Sequence, residues 1–337
     1  MVVKWLITGG CGFIGRNLIK NLLEEGGHFI RIIDNLSVGT KDDLAQVCQY
    51  DEKEINNLCS PSTSSLAQVE LVQGDILDEQ LALEVVKGFD IVVHLAANTG
   101  VGPSVEDPRF DCFANVVGTF NYLEAARINK IKRFVFASSG APAGECEPPI
   151  HEELPPHPVS PYGASKLAGE GYCSAYFRTF GVETVCLRFS NVYGPLSKKK
   201  DSVVAKFIKR IMEGKDLEIY GDGNQTRDFI YIDDLINAVR LAASVGEIGG
   251  ETFQIAAARE TTVAEITQEI IKTFSEFGYS GEINVNFTEP RLGDVKRNFS
   301  DISKAKNILK WTPQVNLQDG LHKTITFFVN KNSSADV

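Results

Sequence analysis

Tyr162 and Lys166, a tyrosine and a lysine four positions apart, are the first residues of this sequence whose spacing suggests chemistry. Ser160 and Pro161 precede them, and this order is typical of a helix start, with Ser160 as N-cap and Pro161 as first helical residue. On a helix the two side chains share one face. A positive charge about 4–6 Å from a phenol lowers its pKa by about two to three pH units. We therefore predict that Tyr162 acts as a general base, brought towards neutrality by Lys166 and a further positive charge.

A glycine-rich turn is the second such feature. Gly9, Gly12 and Gly15 follow a predicted strand and open a predicted helix. In this setting the glycines permit a tight turn, backbone approach to a pyrophosphate and close helix–strand packing. The helix N-terminus then presents free N–H groups to the phosphates. Asp34 ends the next predicted strand, 19 residues after Gly15, where a carboxylate binds ribose hydroxyls and repels a 2′-phosphate. The pattern predicts a dinucleotide site that favours NAD over NADP.

Three further charged residues bear on this site. Arg16 and Arg31 are cations near Asp34 in the predicted arrangement, and they could soften the preference for NAD. Asp75 follows the third predicted strand. It either reaches the adenine amino group or forms an acidic turn that starts a helix, and the sequence leaves both open.

Ser138 and Ser139 follow a predicted strand over 133–137. In a doubly wound sheet the carboxyl ends of the strands face the ligand crevice, so a hydroxyl there can hydrogen-bond a reacting oxygen. A tyrosine and a lysine four apart are by themselves usually a solvated surface pair. Behind a dinucleotide motif and two strand-end serines, the catalytic interpretation is favoured.

The elements that must position these residues alternate along the first half of the chain. Strands are predicted over 2–7, 29–33, 69–72, 90–94, 133–137 and 184–189, and helices over 13–25, 78–87, about 112–129 and 161–180. This alternation predicts an α/β fold, a Rossmann-like doubly wound parallel sheet with a smaller C-terminal substrate-binding region. The polar stretch 40–68 interrupts it, and we interpret it as a surface insertion with a marginal helix at 41–48, or, less favoured, a functional lid.

Two regions are expected. Residues 1–190 form the NAD-binding Rossmann-like domain, with 228–245 packing back on it. Residues 191–337 form mainly the substrate-binding region, because strands become sparse there and loops carry clustered glycine, lysine and arginine.

Composition limits the function classes. The formal net charge of −10 argues against a nucleic-acid partner, although a few local cations can still hold a diphosphate. No apolar run is long enough to span a membrane, and the start is too short for a signal peptide before the glycine turn. The seven cysteines and five histidines show no metal-ligand spacing. We expect a cytoplasmic enzyme with reduced thiols and no metal.

The order of the motifs resembles the extended short-chain dehydrogenase/reductases, and within them the UDP-glucose 4-epimerase-like enzymes of the NAD-dependent epimerase/dehydratase family. The resemblance covers about residues 1–311. It rests on GGCGFIG (9–15), HLAA (94–97), SS (138–139), YGASK (162–166), RFSNVYG (188–194), RDFIYIDDL (227–235) and RLGD (291–294).

The resemblance implies an NAD-dependent 4-epimerase that acts on a UDP-sugar through a 4-keto intermediate. The catalytic group would be Ser139, Tyr162 and Lys166. Contacts to NAD are implied for Gly9, Gly12, Phe13, Ile14, Gly15, Asp34, Asn35, Asp75, Ile76, Leu95, Ala96, Ala97, Asn115, Tyr162 and Lys166. Contacts to the substrate are implied for Ser139, Asn191, Tyr220, Arg227, Arg291, Asp294 and Asn298.

Several of these assignments have alternatives. Arg227 is expected to grip a phosphate, but it could pair with Asp228 or Asp233 instead. Asp294 would bind the nucleoside ribose or orient Arg291. Asn298 stands four positions after Asp294, where related epimerases with a bulky tyrosine tend to exclude an N-acetyl group. A smaller asparagine predicts that both plain and N-acetylated UDP-sugars enter.

The segment after Ser139 departs from the family pattern. The family often continues with Val-Tyr-Gly, whereas Gly140 to Gly144 here contain Pro142 and no tyrosine. The family's 4,6-dehydratases and decarboxylases carry acidic residues directly after this serine, and Gly140 and Ala141 supply none. This argues against both reactions. Another nucleotide-sugar dehydratase, reductase or epimerase, or a non-catalytic NAD-binding regulator, remain the alternatives.

Two predicted helices carry apolar residues on more than one face. One face would cover the sheet, and the other would form the four-helix interface of a homodimer, which the resemblance also implies. The residues concerned are Phe113, Val116, Val117, Phe120, Leu123, Leu167, Tyr172, Tyr176 and Phe177.

Overall fold

The computed structural model describes residues 2–58, 68–200, 202–290 and 295–333. The chain forms two compact units. The first comprises Met1–Gly144, Pro155–Arg188 and Ala238–Phe253, and the second comprises Glu145–Leu154, Phe189–Asn237 and Gln254–Val337.

Strands and helices alternate along the first half of the chain, as the sequence predicts. The strands are β1 Val3–Thr8, β2 His28–Asp34, β3 Asp51–Lys53, β4 Val69–Gln73, β5 Ile91–His94, β6 Arg133–Ser139, β7 Thr184–Phe189, β8 Asn191–Tyr193, β9 Leu217–Tyr220, β10 Thr226–Arg227, β11 Phe229–Tyr231, β12 Glu251–Ile255, β13 Thr261–Thr262 and β14 Val285–Thr288. The α-helices are α1 Phe13–Glu25, α2 Lys41–Ala45, α3 Glu79–Val85, α4 Val101–Glu106, α5 Pro108–Cys112, α6 Gly118–Ile128, α7 Pro161–Phe180, α8 Val203–Met212, α9 Ile232–Ser244, α10 Val263–Glu276 and α11 Leu317–Ser333.

The first unit is built on an eight-stranded sheet with the order β12-β7-β6-β5-β1-β2-β4-β3. The pairs from β6 through β5, β1, β2 and β4 to β3 are parallel. All four residues of β5 are buried, and so are the last four of β1, because helices cover both faces of such a sheet. The predicted Rossmann-like fold is confirmed. The strand order reverses at β1, so the ligand crevice lies beyond the carboxyl ends of β1 and β5.

The insertion at 40–68 contains more structure than the sequence indicates. Thr40 and Asp43 form a capping box at the start of α2, which ends at Ala45 rather than 48. The strand β3 then pairs in parallel with β4 and extends the sheet by one strand. Its sequence, Asp-Glu-Lys, has no β-propensity, so pairing with β4 decides its conformation. Residues 59–67 lie outside the described residues.

The helix predicted over about 112–129 is interrupted. The short helices α4 and α5 precede it, and Asp107 caps α5 ahead of Pro108. A π-helical turn over Phe113–Val117 then leads into α6. Such turns are frequent at functional sites because they shift side chains relative to a regular helix. Asn115, a predicted cofactor contact, lies within this turn.

The second unit combines small sheets and helices. The strand pairs are β8 with β11, β9 with β14, and β10 with β13. The buried indole N–H of Trp311 donates to the carbonyl of Asp234 at 2.9 Å, and the Asp234 carboxylate accepts the N–H groups of Gln314 and Val315. These bonds attach the C-terminal segment to α9. Among the described residues, no helix is both long and apolar enough to cross a membrane.

Candidate active site

The glycine turn between β1 and α1 has the geometry of a phosphate cradle. Gly9 adopts a φ of +70°, and a Cβ there would lie 2.8 Å from the backbone nitrogen of Ala96. A Cβ on Gly15 would lie 2.6 Å from Cα of Gly10. Among the described residues, no side chain caps α1, and its first turn holds no acid. The N–H groups and the positive dipole end of α1 therefore suit the pyrophosphate of a dinucleotide.

Asp34, at the end of β2, supports this turn directly. Its Oδ2 accepts the backbone N–H of Cys11 at 2.9 Å, and its Oδ1 accepts that of Leu36 at 2.9 Å. The residue is only 8% exposed, and burial raises the pKa of its carboxyl while the two hydrogen bonds lower it. Each oxygen keeps a second lone pair, so the carboxylate can hold the turn and still accept from ribose hydroxyls.

The two cations near Asp34 are engaged elsewhere. Arg31 is buried and donates through Nε and Nη2 to Glu70, at 2.9 and 2.8 Å. Arg16 is also buried, and its Nη1 lies 3.4 Å from Oδ1 of Asp43. Neither arginine is therefore placed to receive a 2′-phosphate. The preference for NAD that Asp34 predicts is not softened by them.

The loops after β4 and β5 complete this edge of the sheet. The hydroxyl of Thr8 accepts the N–H groups of Leu95 and Ala96, at 3.2 and 3.1 Å, and so holds the loop after β5 against the glycine turn. Asp75 accepts from Nδ2 of Asn35 at 3.0 Å and from its own turn at Leu77 N. Asp78, not Asp75, caps α3. Eight residues of the predicted NAD site lie at this edge of the sheet and are at least partly exposed. They are Gly12, Phe13, Ile14, Asn35, Asp75, Leu95, Ala96 and Ala97.

Asn115 is fully engaged by protein groups. Its Nδ2 lies 3.0 Å from the carbonyl of Asn98, from Oδ1 of Asp111 and from Oγ of Ser165, and its Oδ1 accepts the N–H of Asn98 at 2.8 Å. The residue is buried. These contacts fasten the loop after β5 to α7.

The predicted catalytic residues come together in the first unit. Ser160 caps α7 through Gly163 N at 3.1 Å, with Pro161 in the first turn, as predicted. Nζ of Lys166 lies 5.9 Å from the centroid of the Tyr162 ring, and Ser139 hydrogen-bonds the Tyr162 side chain. Ser139 closes β6. The carboxyl end of a strand and one helix face thus supply the hydroxyl, phenol and ammonium.

In the protein alone, burial dominates the ionisation of Tyr162 and Lys166. Burial raises the pKa of Tyr162 to about 12, and the bond with Ser139 opposes this. Burial lowers the pKa of Lys166, which is only 3% exposed, to about 8. In the protein alone, Lys166 therefore does not bring Tyr162 towards neutrality. Both groups are desolvated, which the spacing of residues alone could not indicate.

A buried ion pair that the sequence reasoning missed lies below the catalytic group. Glu170, one turn after Lys166, accepts from Nε and Nη2 of Arg188 at 2.8 and 2.7 Å. The hydroxyl of Ser138 also donates to it, at 2.5 Å. The sequence did contain one indication of Glu170: it lies four residues after Lys166, which puts both side chains on one helix face. This pair fixes the strand end that carries Ser139.

The second unit collects predicted substrate residues around β10. Nη1 of Arg227 donates to the carbonyls of Thr226 and Val295, at 2.6 and 2.7 Å. The N–H of Asn298 donates to the hydroxyl of Thr226 at 3.2 Å. Asp228, which was considered a partner for Arg227, instead accepts the backbone N–H groups of Ala257 and Ser300.

The other substrate candidates are less closely connected. Asn191 begins β8 and pairs with β11, and its N–H donates to the carbonyl of Asp228 at 2.9 Å. Tyr220 ends β9, and Nζ of Lys206 lies 5.5 Å from its ring centroid. Arg291 and Asp294 lie outside the described residues. Val295, which Arg227 contacts, follows them directly in the sequence.

Fold and site together define a class: a Rossmann-like, dinucleotide-binding protein with a serine, a tyrosine and a lysine at the carboxyl edge of its sheet. The chain belongs to the NAD-dependent epimerase/dehydratase family, whose profile matches residues 5–256. Its cofactor is NAD. The resemblance drawn from the sequence motifs is confirmed.

Individual relatives span almost the whole chain. The UDP-glucose 4-epimerase of Mycolicibacterium smegmatis is 35% identical over 337 residues, covering 98% of this chain and 100% of that protein. The crystal structure of a UDP-glucose 4-epimerase with UDP-glucose from Thermotoga maritima matches with a TM-score of 0.86 and 32% identity, covering 98% and 100% of the two chains. A UDP-glucuronic acid 4-epimerase from Bacillus cereus, in complex with UDP-glucuronic acid and NAD, matches with a TM-score of 0.85 and 31% identity, covering 98% and 100%. dTDP-glucose 4,6-dehydratases also match, at 30% identity.

Proposed function

We propose that this protein is an NAD-dependent 4-epimerase of a UDP-linked sugar, acting on UDP-glucose and UDP-galactose or on an N-acetylated or uronate analogue. One observation carries the proposal. Ser139, Tyr162 and Lys166 form a complete proton-transfer group, while the turn that follows Ser139, over Ala141–Ala143, holds no acid. A dehydratase needs a positioned acid to expel water, so the arrangement favours oxidation and reduction at one carbon.

The residues divide the work as follows. Tyr162 takes the proton of the sugar 4-hydroxyl, and Ser139 hydrogen-bonds the same oxygen. When bound, NAD would accept a hydride from carbon 4 and return it, and its ring charge would lower the pKa of Tyr162 from the value in the protein alone. The resulting 4-keto sugar would turn about its diphosphate link, take back the same hydride on its other face and recover its proton from Tyr162. Lys166 uses one N–H on Ala137 and has two more for the nicotinamide ribose.

In this proposal the second unit binds the nucleotide part of the substrate. Arg227 and Arg291 grip the diphosphate, because guanidinium forks suit phosphate oxygens. Asn191 and Tyr220 contact the substrate from β8 and β9, and Asp294 contacts the nucleoside ribose. The first unit binds NAD.

The proposal includes the assembly and the place of action. Phe113, Val117, Phe120 and Tyr172 expose apolar surface on neighbouring helical segments of the first unit. A second copy of the chain would cover this surface and form a homodimer. The protein acts on a soluble nucleotide-sugar in the cytoplasm, with neither nucleic acid nor membrane as partner.

The test is to incubate the purified protein separately with UDP-glucose, UDP-N-acetylglucosamine and UDP-glucuronate, and to separate the products by chromatography. We expect the 4-epimer of at least one substrate, and none with the Tyr162→Phe variant. A 4-keto-6-deoxy product would instead identify a dehydratase. NAD binding without any product would favour a regulator.

A further inference from the structure

Asp111 is a carboxyl group beside the catalytic helix for which the proposed reaction has no use. It lies in α5 and is 0% exposed. Its Oδ1 accepts from Nδ2 of Asn115 at 3.0 Å and from Nδ2 of Asn98 at 3.3 Å. Its Oδ2 is buried and has no hydrogen-bond partner in the part of the chain that the structure describes. A half-satisfied buried carboxyl is unfavourable for folding, so its presence calls for a function.

A short series of hydrogen bonds joins Asp111 to the catalytic tyrosine. Nδ2 of Asn115 donates to Oδ1 of Asp111 and to Oγ of Ser165, both at 3.0 Å. Ser165 in turn donates to the backbone carbonyl of Tyr162 at 3.1 Å. The carboxyl group is thus coupled mechanically to the first turn of α7.

The charged and titratable groups around Lys166 come from several elements. Glu170 and Cys173 face it from α7, His94 from β5, and Asp111 from α5, while the Phe136 ring of β6 lies 5.0 Å from its Nζ. Asp111 and Glu170 both raise the pKa of Lys166 against the effect of burial. Fewer groups act on Tyr162: the hydrogen bond from Ser139 lowers its pKa, and the charge of Asp111 raises it.

We propose that Asp111 is a positioning residue that holds the Tyr162–Lys166 pair in register and sets the pH window in which the pair is active. This inference rests on the proposed function for its kinetic test only. In this proposal the charge of Asp111 shifts the pKa of both Tyr162 and Lys166, whereas the charge of Glu170 shifts that of Lys166 alone.

Replacing Asp111 with asparagine separates charge from shape. Asparagine keeps an oxygen for Asn115 and Asn98 but loses the negative charge. Without that charge the pKa of Lys166 falls, because its protonated form loses a counter-ion. The pKa of Tyr162 also falls, because its ionised form loses a repulsion. Both limbs of the pH profile of kcat/KM should move to lower pH together, whichever limb belongs to which group.

The kinetic experiment compares four variants with the wild type on the UDP-sugar that is converted. For Asp111→Asn we expect both limbs to move down by about 1 pH unit. For Glu170→Gln we expect one limb to move, and for Asp111→Glu, which keeps the charge, neither. Glu106→Gln, which removes an exposed carboxylate from α4, is the control for net charge and should match the wild type. Lower turnover in Asp111→Asn with both limbs unmoved would overturn the proposal.

A second experiment needs no substrate. A double-mutant cycle of Asp111→Asn and Lys166→Met is measured by chemical unfolding at pH 6 and at pH 10. Since the pKa of Lys166 is about 8, we expect stabilising coupling at pH 6 that is lost at pH 10. Equal coupling at both values, or none at pH 6, contradicts the proposal. Coupling at pH 6 without any turnover leaves the role of Asp111 standing and removes the 4-epimerase assignment.

Discussion

The ammonium of Lys166 donates a hydrogen bond to the carbonyl oxygen of Ala137, across an Nζ–O distance of 2.9 Å. Ala137 lies in β6 two residues before Ser139, so this bond ties the catalytic helix to the strand that carries the serine. The lysine therefore has a structural role as well as an electrostatic one. Geometry, more than a lowered pKa, is what the protein itself contributes to the group.

The first prediction concerns the base. Tyr162→Phe should leave NAD bound and lower turnover at least about a hundredfold, because a positioned acid–base group is worth that much. NAD binding is measured by titration and turnover by product chromatography. Tyr172→Phe, an exposed position on the same helix, is the control and should keep full activity. Turnover of Tyr162→Phe within threefold of the wild type would end the assignment.

The second prediction concerns Asp34, which both selects the cofactor and holds the turn. Asp34→Ser should relax the preference for NAD over NADP, because the repulsion of a 2′-phosphate is removed. It should also lower stability by about 1–3 kcal/mol, because the N–H groups of Cys11 and Leu36 lose their acceptor. Binding titrations with both cofactors and denaturant unfolding measure the two effects. Asp42→Ser, an exposed carboxylate in α2, should change neither. A wild type that prefers NADP would refute the role given to Asp34.

The third prediction is a pH dependence of stability that comes from His94. The ring is buried between the hydroxyls of Thr8 and Thr119, and burial lowers its pKa from 6.5 to about 3. Between these values the unfolded chain binds a proton that the folded protein does not. The stabilising contribution is therefore present above pH 6.5 and is lost as the pH falls towards 3.

His94→Asn tests this dependence by unfolding in denaturant at pH 7 and pH 5. The difference in unfolding free energy between wild type and variant should shrink at pH 5, because only the wild type is penalised by protonation. His157→Asn, at an exposed histidine, should show the same slope as the wild type. A constant difference across this range would mean that His94 is not held neutral.

The fourth prediction concerns assembly. Phe120 is 38% exposed and packs edge-on against Tyr172, with ring centroids 5.6 Å apart. Phe120→Asp should convert the expected dimer to a monomer in light scattering, because a carboxylate cannot be buried there unpaired. Phe287→Asp, at a phenylalanine 60% exposed on β14, should remain dimeric. A wild type that is monomeric at micromolar concentration would remove the dimer from the proposal.

The fifth prediction concerns substrate range. Asn298→Tyr should lower kcat/KM for UDP-N-acetylglucosamine relative to UDP-glucose, because added bulk excludes the acetamido group. The expected change is about 10- to 200-fold, the usual discrimination of a pocket against a small group. Lys296→Tyr adds the same bulk at an exposed position in the same segment and should leave the ratio unchanged. If the wild type does not convert UDP-N-acetylglucosamine, Asn298 does not determine the substrate range.

Local patterns in the sequence predicted the parts of the site that local chemistry determines. The glycine turn, the Ser160 cap and the strand-end serines each depend on residues a few positions apart, and each is found where it was expected. The identity of the cofactor could also be predicted, because the glycine turn indicates a dinucleotide and Asp34 favours NAD over NADP.

Other features depend on contacts between distant segments and were not predictable. The pKa of Tyr162 depends on how deeply α7 is buried, and no spacing reports that depth. The pair Glu170–Arg188 forms only once β7 packs against α7, whereas Asp111 and Asn115 lie four residues apart and that spacing was visible in the sequence. The charged strand β3 forms because β4 offers it backbone partners.

The strand β3 affects how readily the protein aggregates in a crowded solution. It is the outermost strand of the sheet, and Asp51 and Glu52 are exposed while Lys41 pairs with Glu52 at 2.6 Å. A sheet that ended at the apolar β4 would offer its backbone to any other extended chain, and aggregates grow by such additions. The polar insertion ends the sheet with a short, charged strand. It thereby protects this edge of the sheet against the addition of further chains.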